Sequence, residues 1–219
     1  MNLAVKTSLR ERQKIRRRAA ILAAGRALFN RQGYSATSME AIAEAAEVGI
    51  ATVYNYFGSK GRLLADILRP DFELLYEQGE TLLAQPPEDP GSGLLSLIDI
   101  YQRFQGNWER RDLLIAIMGP GLSAEPALDE LSSEAENKVK MQLSTLLCGY
   151  QKSGKIRTGI DIDDASLIIF YIFNQHFIQF VSQEAVEFSE MKAAMDRQIR
   201  FIVSAICSKG SSPDYVLSP

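Results

Sequence analysis

The sequence predicts an all-α chain, and three observations predict it. Apolar residues recur every three or four positions in almost every segment, no stretch alternates with strand period, and the breaks between segments hold residues that cap or end helices. About nine helices are expected: a group of short ones near the N-terminus and a larger helical remainder.

From about Arg10 to Arg31, Ile15, Ala19, Leu22 and Phe29 repeat at helical spacing, with Gly33 placed to end the helix and Arg12, Arg16 and Arg26 on its other face. The run Thr-Ser-Met-Glu at 37–40 follows. In it Thr37 can cap the amides of a second helix while Glu40 reaches back, and Met39, Ile42, Ala43 and Ala46 form the inner face. After Glu47, Val48 and Gly49 comes a two-turn helix from Ile50 to Phe57, ended by Gly58; Ser59 caps a fourth helix that Pro70 kinks or stops.

Residues 86–93 read as a loop by composition, and Leu94 to Gln105 is again periodic. A second break covers Gly119 to Pro126. A long amphipathic helix then carries Leu128, Leu131, Ala135, Val139, Leu143, Leu146 and Tyr150. The run DIDDA at 161–165 places carboxylates at the positive end of the next helix dipole, and from Ser166 to Val181 that helix is apolar nearly all round. A last helix, Glu187 to Cys207, repeats Met191, Met195, Ile199, Ile202, Val203 and Ile206, and a disordered tail is expected at 210–219.

Charge divides the chain. Residues 1–69 hold 12 Lys and Arg against 5 Asp and Glu, whereas residues 70–219 hold 12 against 22, so an overall charge of −3 conceals a basic N-terminal part. Only that part suits a polyanion, and the acidic remainder should face away from one. Cys148 and Cys207 lie in apolar helical patterns and read as small buried hydrophobes rather than a disulfide. The N-terminal apolar stretch is short and broken by Arg26, a poor secretory signal. The longest apolar run, Leu167 to Phe173, is far below the roughly 20 residues a bilayer needs. A cytoplasmic protein with no membrane span is expected.

On a helical wheel Ile50, Val53, Tyr54 and Phe57 fall to one side of the two-turn helix, and Ala51, Thr52, Asn55 and Tyr56 to the other. The second set is free to enter a major groove, where Asn bonds bidentately to adenine and the methyls of Ala or Thr meet that of thymine. Lys60 and the capped start of the fourth helix suit a phosphate. A solvated polar face on a small helical subdomain would show the same wheel. A basic first helix, a capped second, a tight turn and a short third followed by Ser-Lys together match helix-turn-helix geometry.

The run GYSATSMEAIAEAAEVGIATVYNYFGSKGRLLADIL resembles the N-terminal signature of TetR/AcrR-type regulators, in a match from about Ile15 to Leu68. The patterns T-x-x-x-I-A, A-x-V-x-x-x-T-x-Y-x-Y-F and S-K stand in register. The resemblance implies a dimeric transcriptional regulator, usually a repressor. It puts Thr37, Thr52, Tyr54, Tyr56 and Lys60 at the DNA, and Ile42, Ala43, Val53 and Phe57 in the core. The sequence departs from the pattern at Glu47, where the family has a turn glycine and a left-handed backbone would cost Glu about 1 kcal/mol. Gly61 likewise replaces an acidic or helix-favouring residue. Beyond Leu68 the resemblance is architectural: KIRTGIDIDDA looks like the family's entry to its eighth helix.

The domains expected are therefore 1–60 for DNA and 61–209 for effector binding and dimerisation. A homodimer is expected through about Asp163–Ser182 and Glu187–Cys207, because a helix apolar on all faces needs a second cover. Two-fold symmetry implies a palindromic double-stranded operator. Tyr101, Phe104, Trp108, Met118, Met141, Phe170, Asn174 and His176 together suit an apolar pocket with a few polar groups, for a small hydrophobic effector. His176 reads equally as a core histidine satisfied by a neighbour, and Trp108 as a helix anchor. One His, no close Cys pair, no glycine-rich phosphate loop and no nucleophile motif argue against an enzyme, a metal or a cofactor. The same fold controlled by a protein partner, or by no small molecule, is the alternative.

Overall fold

The computed structural model describes residues 8–106, 116, 125–183 and 186–208. Eight helices lie among them: α1 (Leu9–Ala36), α2 (Met39–Ala45), α3 (Ile50–Phe57), α4 (Lys60–Ala84), α5 (Pro90–Gly106), α6 (Pro126–Lys152), α7 (Ile162–Ser182) and α8 (Phe188–Ile206). The one isolated extended pairing in that set is an antiparallel bridge between Ile156 and Cys207. The all-α reading therefore holds, with eight helices among the described residues against about nine expected. The break at 119–124 and the tail at 210–219 lie outside them.

Two units divide the chain. The first takes the described residues of Met1–Pro70 and Trp108–Leu131, and the second those of Asp71–Asn107 and Ser132–Pro219.

In the first unit α1 packs on α2 and α2 on α3. Ile21, Leu28 and Phe29 of α1 are buried with Met39, Ile42 and Ala43 of α2, Val53 and Phe57 of α3, and Leu63, Leu64, Ile67 and Leu68 of α4. The sequence periodicity overreaches at the start of α1. Every residue from Ser8 to Ala20 is exposed, Ile15 by 58%, so the first three turns bury no apolar side chain and touch the rest of the unit through Lys14 and Arg18. Gly33 does break the helix, with φ 84° and ψ 173° inside α1.

Two sequence expectations shift here. The cap of α2 is Ser38, whose Oγ accepts from the Ala41 amide at 3.1 Å, while Thr37 turns back and donates to the Gly33 carbonyl at 2.6 Å. Adjacent hydroxyls can both cap, and the break at Gly33 leaves a carbonyl for Thr37 to satisfy. Pro70 does not end its helix, since α4 continues to Ala84. A proline forfeits one amide of the ladder, a loss that need not end a helix whose flanking residues, here Leu68 and Leu75, are buried. Ser59 caps α4 as expected, accepting from the Arg62 amide at 3.1 Å.

The second unit packs α7 against α8 and α5 against α8. Its loop at 86–93 is shorter than its composition suggested, because α5 already starts at Pro90. Asp89 takes the Ser92 amide at 2.7 Å, and proline suits a first helical position. Met191, Met195, Ile199, Val203 and Ile206 all lie buried along α8. Lys192 of α8 joins Asp99 of α5 at 2.6 Å and Asp196 at 3.2 Å. Burial alone would lower its pKa, but the two carboxylates outweigh that and hold it above the ordinary lysine value. Asp161 caps α7 through the Asp164 amide at 3.0 Å, as the DIDDA run implied.

Glu47 does take the left-handed backbone anticipated for it, with φ 53°, the one non-glycine positive φ among the described residues. Glu47→Gly should therefore stabilise the first unit by about 1 kcal/mol, raising Tm by a few degrees in a thermal melt followed by circular dichroism. An unchanged or lower Tm would show that the turn carries no such cost.

Candidate nucleic-acid interface

Helix α3 projects from the first unit on two side chains. Val53 is fully buried and Phe57 nearly so, one turn apart, each worth about 1.5–3 kcal/mol of apolar burial. Ala51 and Asn55 are exposed on the other side and Thr52 is half-buried. The helical wheel misplaces two residues: Ile50 and Tyr54, assigned to the inner side, are exposed, Tyr54 by 47%. Their side chains flank the Val53–Phe57 row, and an eight-residue helix on a small unit has no neighbour wide enough to cover both flanks. Tyr56 is half-buried and donates its hydroxyl to the Lys14 carbonyl of α1 at 3.3 Å. Ala51, Thr52, Tyr54 and Asn55 thus share one accessible surface.

Behind that surface is a frame of polar contacts. The Lys60 ammonium donates to the carbonyls of Tyr34 and Thr37, both at 2.9 Å, and lies 4.4 Å from the centre of the Tyr34 ring. It therefore closes the C-terminal end of α1, where the carbonyls of the last turn favour a cation. Thr37 is 2% exposed, with Oγ1 held by Gly33 and by Gln32 at 3.3 Å. Of the seven residues assigned to DNA in the sequence, the side chains of Thr37, Tyr56 and Lys60 are thus committed within the protein.

Two members of this frame were missed. Tyr34 donates to Glu125 Oε1 at 3.2 Å, and Ser59 donates to Glu125 Oε2 at 3.0 Å. Burial, and then the Glu125 charge, push the Tyr34 pKa well above the ordinary tyrosine value, so it remains a donor at any physiological pH. A contact spanning 91 residues leaves no mark in a local pattern.

Positive charge surrounds the site unevenly. Arg18 is engaged with Asp66 at 2.7 Å and lies over the Phe57 ring, and Arg26 donates to the Ile67 carbonyl at 2.8 Å. Arg10, Arg12, Lys14, Arg16 and Arg17 are exposed along α1. Gln13, Arg16 and Arg17 line one side of an open groove of about 600 Å³, with Ala45, Ala46 and Glu47 opposite.

The residues suggested for an effector lie apart from this surface in the sequence, and those described belong to the second unit. Trp108 and Met118 lie outside the described residues, as does the Phe104 side chain. Tyr101 and Phe170 are buried, Asn174 and His176 half-buried, and Met141 is 55% exposed. Tyr101 donates to the Gln142 Oε1, and Gln142 in turn donates to the Tyr76 carbonyl at 3.1 Å and to Glu80 at 2.7 Å. Burial above all, then the nearby Tyr76 and Glu80, raise the Tyr101 pKa. His176 Nε2 lies 3.1 Å from Gln198 Oε1, the neighbour-satisfied arrangement. Among the described residues no group of three or more His, Cys, Asp and Glu could hold a metal.

A capped helix, a tight turn and a short exposed helix on a basic unit define a helix-turn-helix DNA-binding domain. Residues 21–67 match the family model described as bacterial regulatory proteins, tetR family. The N-terminal domain belongs to that family, and the described chain has its fold. The repressor KstR of Rhodococcus jostii is 39% identical over 82 residues, a stretch covering 37% of this chain and only 39% of KstR. The repressor NicS of Pseudomonas putida is 28% identical over 203 residues, 87% of this chain and 91% of NicS. Among solved structures, FadR of Thermus thermophilus, a TetR-family repressor in complex with lauroyl-CoA, aligns with a TM-score of 0.66 at 21% identity, over 92% of this chain and 98% of that one.

The frame makes a stability role for Lys60 measurable. Lys60→Met keeps most of the side chain but drops both bonds to the carbonyls. It should lower unfolding free energy by about 1–3 kcal/mol in urea, the scale for hydrogen bonds to a charged group. A midpoint unchanged from wild type would assign the ammonium no structural part.

Proposed function

We propose that this chain is a transcriptional repressor that binds a palindromic operator as a homodimer and is released by a small, largely hydrophobic effector. The observation that carries the reading is α3 itself, held by Val53 and Phe57 and presenting Ala51, Thr52, Tyr54 and Asn55 beside the exposed arginines of α1. Ala51, Thr52 and Asn55 meet base edges, Tyr54 the flanking backbone, and Thr37, Tyr56 and Lys60 hold the frame from which α3 projects. The repressors KstR and NicS support the assignment of role. FadR, held with lauroyl-CoA, supports a hydrophobic effector, for which the second unit offers buried aromatic residues and a few paired polar ones. Such a protein works in the cytoplasm, where the operator is.

The dimer reading rests on the second unit. Helix α7 is apolar enough, over 21 residues, to cross a bilayer by length and composition, yet only 33% of its most apolar window is buried within the chain. Asn174, Gln175 and His176 interrupt it and would be costly in hydrocarbon, which favours a protein cover over a lipid one. Leu167, Ile168, Tyr171 and Ile178 of α7 lie exposed with Phe201 of α8, which is 70% exposed. A groove of about 300 Å³ beside them is lined by Ile172, Arg197, Gln198, Phe201 and Ile202. A second copy would bury this face in a four-helix bundle and set two α3 helices in successive major grooves, about 34–36 Å apart.

Selection from a random-sequence duplex pool tests the DNA reading directly: wild type should enrich a palindrome, and adding lauroyl-CoA or a related acyl compound should release it. Asn55→Ala should lose about 1–3 kcal/mol at one position of each half-site and relax base preference there. Enrichment of no duplex would overturn the proposal.

For assembly, wild type should sediment as a dimer at micromolar concentration, and Phe201→Asp as a monomer of unchanged helicity. A wild-type monomer, or a dimeric Phe201→Asp, would place the interface elsewhere or nowhere.

A further inference from the structure

Gly61 departs from the family pattern for a reason the first unit displays. A Cβ built on it would lie 2.6 Å from Cδ and 2.8 Å from Cβ of Glu125, with Oε2 nearer still, so any side chain at 61 must expel that carboxylate. Glu125 opens α6: its carbonyl accepts from the Leu128 and Asp129 amides at 3.0 and 3.3 Å. A polar residue there ordinarily folds back to cap its own helix. This one instead reaches Tyr34 and Ser59, with one oxygen for each.

Ser59 is where that contact matters. Helices α3 and α4 are joined only by Gly58 and Ser59, and Gly58, at φ 75° with nothing within 4 Å of its would-be Cβ, gives the joint little resistance. Ser59 spends both capacities of its hydroxyl, accepting from the Arg62 amide at 3.1 Å and donating to Glu125 at 3.0 Å. Tyr34, the second donor, also supplies a carbonyl and a ring to Lys60, the residue next to Ser59. The carboxylate therefore ties the end of α1 to the point at which α3 gives way to α4.

We infer that Glu125 is a positioning residue for the recognition helix, with Gly61 the gap that admits its carboxylate. The inference rests on the DNA-binding reading: α3 can meet a groove only at the angle this joint allows, and freedom at the joint must be lost again on binding. Glu125 touches no base or phosphate in this scheme. It acts through Ser59 and Tyr34.

Four proteins test it: wild type, Glu125→Ala, Gly61→Ala and the double variant, each melted and each titrated with the duplex that wild type enriches from a random pool. In the wild-type background Gly61→Ala should lower Tm, because it expels the carboxylate. In the Glu125→Ala background the same change should lower Tm by less, since only the Cβ of residue 125, 2.8 Å away, must then give way and the helix propensity of alanine offsets part of that. Both single variants should bind the duplex about tenfold more weakly, the scale of one hydrogen bond to a charged group. The double variant should bind no more weakly than Glu125→Ala, and Glu125→Gln, which keeps one acceptor, should fall between. Unaltered affinity in Glu125→Ala with a lowered Tm would overturn the positioning role and leave the DNA reading standing. An equal loss of Tm from Gly61→Ala in both backgrounds would overturn the pairing itself. If wild type enriches no duplex, the DNA reading fails and this inference with it, whatever the melts show.

Discussion

An eight-residue helix does not persist alone in water, because nucleation fixes several residues for each hydrogen bond gained. What α3 presents to its surroundings is therefore a property of the packing beneath it. Val53 and Phe57 supply the apolar part, on a floor laid by α1, α2 and the first turns of α4. Arg18 covers the Phe57 ring at 5.5 Å and is itself fixed by Asp66, which also receives Arg62 at 3.3 Å. A salt bridge this exposed contributes little alone, but here it holds a guanidinium flat against the residue that anchors the helix. The accessible face can then carry almost any polar residue without cost to the fold.

How much of this the sequence displayed depends on the range of each interaction. Helix positions, the Ser59 cap, the Asp161 cap and the buried row of α8 all follow from residues within one or two turns of each other, and all were legible. The cap of α2 was off by one residue, since Thr37 and Ser38 offer the same chemistry and only the carbonyl left at Gly33 decides between them. Tyr54 was misplaced because a wheel ranks positions by angle, whereas exposure depends on how wide the neighbouring surface is. The role of Lys60 and the Tyr34–Glu125–Ser59 contacts were hidden, being made across distant segments. Glu47 and Gly61, the two departures from the family pattern, both mark real features: one a strained turn, the other a space in use.

The second unit keeps a different kind of order. Gln142 is fully buried and spends its amide on Tyr101, the Tyr76 carbonyl and Glu80, while Gly79 leaves room for it. Buried polar groups satisfied in this way fix one arrangement of α4, α5 and α6, since any slip would leave a desolvated amide unpaired. Tyr150 plays a similar part at the other end of α6. Its hydroxyl donates to the Pro87 carbonyl at 2.7 Å, and burial and then Asp89 push its pKa up to about 12.

The exposed first turns of α1 have a thermodynamic consequence. Arg10 and Lys14, and Arg12 and Arg16, stand four residues apart on a helix whose one acid is Glu11, and every residue to Ala20 is exposed. Like charges at that spacing disfavour a helix, and no buried apolar face offsets them. Counterions decide how well this arm is wound. Its helicity should then fall in dilute salt, and a polyanion laid along it would relieve the same repulsion. Part of the heat of meeting such a partner would then be the winding of these turns, an ordering term that grows as the buffer is thinned.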